Sequence, residues 1–229
     1  MNAGFAISIC GEKLHLLPQK ALWWPAASAV LVADTHFGKE ATFRTRGIPI
    51  ADYTLRSDLV RLADILQLTA ARRLIVLGDL LHSRAGRSPK TLGEVTAWRR
   101  RYSAVECELV KGNHDRAAGP PPEEWNIRTR PDDDREGPFI LAHAPNEQTS
   151  GFVIAGHLHP KVRLYEQGQP SLKFPCFWLR ERVLVLPAFG SFIDSAPIAA
   201  KEGDRIFAIA GPSVQEIVPG STRSAHRRS

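Results

Sequence analysis

Short apolar runs rich in β-branched residues, each bounded by turn formers, recur at 28–33, 74–77, 106–110, 139–142, 152–155 and 182–186. Their length and flanks predict buried strands. Between the first three lie stretches with helical spacing: 52–66, with Leu55, Leu59, Leu62 and Leu66 on one face, and 91–102, with Leu92, Val95 and Trp98. Strand, helix, strand, helix, strand predicts parallel pairing through right-handed crossovers. Beyond about residue 139 the helical pattern fades, and strands follow closely through 206–210. The expected architecture is two sheets packed face to face with helices outside. The Gly/Pro-rich stretch 117–122 and the Asp/Arg-rich stretch 128–138 are expected to be surface loops. Residues 1–218 are expected to form a single domain, and 219–229 a flexible basic tail.

Composition adds limits rather than a function. The chain has 229 residues, 43% hydrophobic and 24% charged, which suits a folded protein that needs no disulfide or metal merely to stay folded. Cys10, Cys107 and Cys176 lie far apart without metal-knuckle spacing and are expected to be buried, reduced thiols. No run resembles a secretory leader or a membrane span, so a cytoplasmic protein with no membrane partner is expected. The net charge is +6, and most of the 30 cations are arginine, which forks well onto phosphates. Charge alone is weak evidence for a polyanionic partner.

The histidines carry more. Six of the eight fall beside a Gly, Asp or Asn at the end of a predicted strand or just after it. VLVAD leads into Asp34 and His36; LIVLGD ends at Asp79, with His82 three residues on. CELVKGNHD carries Asn113, His114 and Asp115; FILAH ends at His143; FVIAGHLH ends at His157 and His159. One histidine after a strand is more often a cap or a core residue. Five such events in order are hard to explain by packing, because the carboxyl ends of strands form the ligand-binding edge of open α/β sheets. Residues at i and i+2 in extended backbone face the same side about 6–7 Å apart. Asp34 with His36, and His157 with His159, can thus reach a common pocket. Asp, His and Asn without cysteine suit borderline divalent metals. Two such ions set against Asp34 and Asp79 leave positive charge over, which would attract an anionic phosphate ester. His82 reads equally as a hydrogen-bond partner outside the ligand set or as a surface residue.

In this order the motifs resemble the calcineurin-like metallophosphoesterase superfamily: Asp34-Thr35-His36, Gly78 to His82, Gly112 to Asp115, lone His143, and Gly156 to His159. The resemblance implies a four-layer α/β/β/α sandwich, with two mixed sheets flanked by helices, and a dinuclear centre at the sheet edge. It implies one metal held by Asp34, His36, Asp79 and His159, and a second by Asp79, Asn113, His143 and His157, with Asp79 bridging. Mn²⁺ is the expected ion, with Zn²⁺ or Fe as alternatives. It further implies that His114 acts on the phosphate while Asp115 orients its imidazole, with in-line attack at phosphorus by water activated between the ions. The segments 33–50, 76–82, 155–164 and 185–195 are similar to the bacterial ligase-associated DNA damage response endonuclease/phosphoesterase group. That group implies a DNA substrate and association with an ATP-dependent DNA ligase, a helicase and an exonuclease. One departure is LAHAP (141–145), where the group often has arginine before the histidine and glutamate after it.

Cations follow the motifs closely. Lys39, Arg44 and Arg46 come after the first, Arg116 after the third, and Lys161 and Arg163 after the last; all are candidates for flanking phosphates, with Phe37 and Phe43 as candidates to stack on bases. The cluster 99–101 instead ends a helix, where cations complement the dipole. The competing readings are a phosphoesterase acting on a small nucleotide, cyclic nucleotide or pyrophosphate, and a catalytically silent scaffold.

Overall fold

The computed structural model describes residues 4–48, 50, 54–164 and 170–217. The basic tail, the domain end at 218 and the predicted helix start at Asp52 lie outside the described residues. Seven strands form the first sheet in chain order: β1 (Phe5–Ile9), β2 (Glu12–Leu17), β3 (Ala21–Trp24), β4 (Ala29–Ala33), β5 (Arg73–Leu77), β6 (Glu106–Val110) and β7 (Ile127–Arg130). β1 to β4 pair antiparallel, and β4 to β7 pair parallel. The second sheet comprises β8 (Asp134–Glu136), β9 (Phe139–Leu141), β10 (Phe152–Ala155), β11 (Lys161–Leu164), β12 (Leu172–Leu179), β13 (Val183–Val185), β14 (Arg205–Ala210) and β15 (Ser213–Ile217). Its order is β15-β14-β12-β13-β10-β9-β8, with β11 paired to β12. β10 runs parallel to both β9 and β13. This is the expected α/β sandwich of two mixed sheets.

The α-helices among the described residues are α1 (Lys39–Thr45), α2 (Thr54–Thr69), α3 (Pro89–Arg101) and α4 (Asn113–Ala118). α2 buries Leu55, Leu59, Leu62, Ile65 and Leu66, the stripe its spacing predicts. α3 starts on Ser88, whose hydroxyl accepts from the Thr91 amide at 3.1 Å, with Pro89 in its first turn. Both pack on the outer face of the first sheet, against Val30, Val32, Leu74 and Val76. Between the sheets the inner faces interdigitate through Leu14, Leu31, Ile75, Phe139, Leu141, Ile154, Phe177 and Phe207. Outside the second sheet, among the described residues, the cover is partly buried β11 and β12 side chains, Leu164 and Phe174, together with Ile198.

Three expectations change. Residues 128–138 are not simply a loop: β7 and β8 lie there, held by charge rather than apolar alternation. Glu108 is 1% exposed and accepts from Arg73, Arg128 and Arg130, while Glu136 takes Arg73 and Arg130 in turn. Cys10 is exposed, in the tight β1–β2 turn at φ 51°, while Cys107 and Cys176 are buried. Of the cluster 99–101, Arg99 turns inward and donates to the carbonyls of Trp125, Tyr102 and Val105. No helix among the described residues is long and apolar enough to cross a membrane.

Candidate metal centre

The motif loops leave the carboxyl ends of β4, β5, β6, β9 and β10, and hydrogen bonds join them one to another. The Asp34 and His36 amides donate to the Gly78 and Asp79 carbonyls at 3.2 and 2.8 Å, and the Thr35 hydroxyl to the Leu80 carbonyl at 2.9 Å. The His157 amide donates to Asp34 Oδ2 at 2.8 Å, and the His114 amide to Asp79 Oδ1 at 2.9 Å. The loops touch so closely that a Cβ on Gly112 would lie 2.2 Å from Asp79 Oδ1, and one on Gly156 2.6 Å from Asp34 Oδ2. Asp34, His36, Asp79, His157 and His159 all have positive φ, between 46° and 68°. Non-glycine residues take that conformation at a cost, and clusters of it mark functional sites.

Two groups of donor atoms result. In one, Asp34, His36 and His159 converge; in the other, Asp79, His143 and His157 do. Asp79 lies between them: its Oδ2 is 3.6 Å from His36 Nε2, and its Oδ1 is 3.6 Å from His143 Nε2. Asn113 Oδ1 joins the second group, 2.9 Å from His143 Nε2. Asp34 Oδ1 and His159 Nε2 are 3.4 Å apart, and both are buried without a hydrogen-bond partner. Buried polar atoms are seldom left so, and a divalent cation satisfies both. His143 Nδ1 lies 3.2 Å from the Leu77 carbonyl, a bond that protonates Nδ1 and leaves the Nε2 lone pair for a ligand. Burial, reinforced by His114 and His159, pushes the His36 pKa down to about 2, so its ring is neutral, the form a metal needs. Burial first, then its histidine neighbour His143, lowers His157 as well. The donor set therefore fits divalent metal.

His114 and Asp115 occupy the first turn of α4. The expected pairing of Asp115 with the His114 imidazole is corrected. Asp115 Oδ2 accepts the amides of Asp79 and Gly112 at 2.8 and 2.9 Å, and Oδ1 that of Leu80 at 2.9 Å. Its oxygens are taken up in fastening the second motif to the third. The His114 ring is oriented instead by the His82 carbonyl, 2.6 Å from its Nδ1. The His82 ring stacks on that of His114 with centroids 5.0 Å apart, and its Nδ1 lies 3.3 Å from His36 Nδ1. His36, His82 and His114 thus form a third cluster along the same edge. Burial, then His114, brings the His82 pKa down to about 4.

The candidate phosphate contacts are unevenly placed. Lys39 Nζ lies 5.8 Å from the centre of the Phe192 ring, beside His36. Arg44 donates to the Ile50 carbonyl at 3.2 Å; Arg46 and Arg116 are exposed. Phe37 is 4% exposed and belongs to the core, so it is not available to a base. Phe43 stands edge-on behind Phe192, which is 39% exposed. Sequence reasoning missed Phe192, although its segment 185–195 carries family resemblance. The loop holding it is fixed by the Phe189 and Gly190 amides, which donate to the Ala33 and Asp34 carbonyls.

Two groups of Asp and His ligands on either side of one aspartate, at the carboxyl edge of stacked mixed sheets, define a metal-dependent phosphoesterase. This chain belongs to the metallophosphoesterase family: it is 37% identical to the nuclease MPE of Pseudomonas putida, whose crystal structure superposes with a TM-score of 0.80 over 93% of this chain and 99% of that one. A phosphoesterase of E. coli, YfcE, matches at 13% identity and a TM-score of 0.39, over 82% of this chain and 97% of that one. No family profile matches the chain, and no curated protein does.

Proposed function

We propose that this protein is a cytoplasmic phosphodiesterase dependent on two divalent ions, a DNA nuclease of endonuclease type working in DNA repair, with residues 1–218 as one catalytic domain. The observation that carries the reading is the position of Asp79, with one carboxylate oxygen toward each ligand group. One ion belongs with Asp34, His36, Asp79 and His159, the other with Asp79, Asn113, His143 and His157. Mn²⁺ is the proposed metal, with Zn²⁺ or Fe as alternatives; oxygen and imidazole donors without thiolate suit these borderline ions better than soft ones. When bound, the pair supplies Lewis acidity toward phosphoryl oxygens and lowers the pKa of water at the site.

The chain's own groups do the rest. His114 Nδ1 bonds the His82 carbonyl, which turns Nε2 toward the phosphate to hold or deliver a proton at the leaving oxygen. Asp115 acts one step away, by holding the Asp79 and Gly112 backbone. Phe192 offers an exposed ring to a base, with Lys39 alongside for its phosphate; Arg44, Arg46 and Arg116 are proposed to follow the strand further out. The nuclease name of the Pseudomonas putida relative supports DNA as substrate. The resemblance of four segments to ligase-associated enzymes supports a working association with an ATP-dependent ligase, a helicase and an exonuclease.

The test is hydrolysis with added Mn²⁺ of bis-p-nitrophenyl phosphate, a phosphomonoester, 2′,3′-cyclic nucleotides, and single-stranded and nicked DNA. Cleavage of DNA and of the bis-ester is expected. Turnover confined to monoesters or cyclic nucleotides would replace this reading with the small-molecule one, and no turnover with metal bound would leave a scaffold.

A further inference from the structure

Beside His159 opens a cleft of about 170 Å³ whose walls include Lys20, Lys161, Ser191 and Ile193. Its two lysines come from opposite sheets. Lys20 sits in the β2–β3 turn at φ 65°, its amide donating to the Leu17 carbonyl at 3.0 Å. Lys161 opens β11, two residues beyond His159. Arg61, on α2, approaches from the side of Asp58, with its Nε buried and unpartnered.

Negative charge to match these cations is scarce. Asp58 is already committed to Arg61 at 2.7 Å and to the Ser191 amide and hydroxyl at 3.1 and 2.5 Å. Lys161 Nζ bonds Asp194 Oδ1 at 2.7 Å and the Ile193 carbonyl at 3.2 Å. The Asp194 side chain is 79% exposed, so that pair is solvent-screened and readily exchanged for another anion. Burial, then the Arg61 charge, lowers Lys20 to about 8. A cation held out of water beside other cations favours an incoming anion.

We propose that this cleft binds the phosphodiester adjacent to the one being cut, with Lys20 and Lys161 as its cations. The proposal rests on the nuclease reading and deepens it: the ligand is a polynucleotide strand with phosphates on both sides of a nucleoside. A substrate with a single phosphate at the ions leaves the cleft idle. Lys20 belongs to no metal motif and reaches the site only because β2 and β3 extend the first sheet.

The experiment compares wild type and Lys20→Ala, loaded with Mn²⁺, on a single-stranded oligonucleotide and on bis-p-nitrophenyl phosphate. The ratio of kcat/KM on DNA to that on the bis-ester is expected to fall about tenfold, through KM on DNA. The log-log salt dependence of DNA binding should become shallower by about 0.7. Lys20→Arg should keep the ratio within about twofold of wild type. Should Lys20→Ala fail to fold, Lys20→Gln reads the same ratio with the side-chain stem retained. If wild type cuts DNA and the ratio does not move, the subsite is wrong and the nuclease reading stands. If wild type hydrolyses the bis-ester but no DNA, both fall.

Discussion

Asp115 grips the backbone of Asp79: its Oδ2 accepts the Asp79 amide at 2.8 Å, and the same oxygen accepts Gly112 at 2.9 Å. The carboxylate is 8% exposed and ties the loop after β5 to that after β6. Each amide left unpaired in such a place costs about 1–3 kcal/mol. Asp115→Ala is therefore expected to destabilise the fold by about 4 kcal/mol, the range of severe core changes, and to lower bound metal. Denaturant unfolding and metal analysis check both. A residue that only aimed the His114 ring would lower turnover and leave stability intact.

Asp79→Asn and His114→Ala should separate metal binding from chemistry. The first replaces a charged oxygen lying between both ligand groups, and loss of bound Mn²⁺ is expected. The second removes a ring outside both groups, so both ions should remain while kcat falls by about 10²-fold or more. Metal content beside single-turnover rates gives the answer; a metal-free His114→Ala protein would overturn the assignment of roles.

A single methyl group can test how closely the loops fit. Gly112→Ala sets a Cβ 2.2 Å from Asp79 Oδ1 and 2.6 Å from its amide nitrogen, so Asp79 must shift and Mn²⁺ affinity should fall by at least about tenfold. Gly93→Ala in α3 meets nothing within 4 Å and should stabilise by about 0.5–1 kcal/mol through helix propensity. Titration calorimetry for the first and thermal unfolding for the second make a matched pair.

Acid stability should depend on Glu108. Burial pushes its pKa up, but hydrogen bonds and charge from Arg73, Arg128 and Arg130 outweigh that, and the carboxyl ends below its ordinary 4.5. A depressed folded pKa gives stability that is complete above 4.5 and is lost as pH falls through the lower folded value. Glu108→Gln removes the charge shared by Arg73, Arg128 and Arg130, while Arg130 keeps Asp134 and Glu136. A loss of about 1.5–3 kcal/mol at neutral pH is expected, with a flatter decline below pH 4.5, followed by urea unfolding at several pH values.

The parallel strands β4 to β6 and the five motif loops were legible because each is a local signal, an apolar run that stops on a polar ligand. The hairpins β1 to β3 carry an alternation, Ile7 and Ile9 inward, then Leu14 and Leu16, that was there to be read. β7 and β8 were not legible by hydrophobicity, since they are held by arginine and glutamate pairs that reach to β5 and β6. The partner of His114 could not be inferred either. It is a main-chain carbonyl, and sequence says nothing of where a carbonyl points. Phe192 and Lys20 enter only through the fold, one on a loop beyond β13 and one on a turn before β3.

Each ligand group draws on both sheets. Asp34 and His36 follow β4 and meet His159 from beyond β10; Asp79 follows β5 and meets His143 and His157 from β9 and β10. Neither half of the sandwich supplies either donor group whole. Metal uptake during refolding should accordingly appear only once the two sheets have docked, which makes the first bound Mn²⁺ a timer for the assembly of the core.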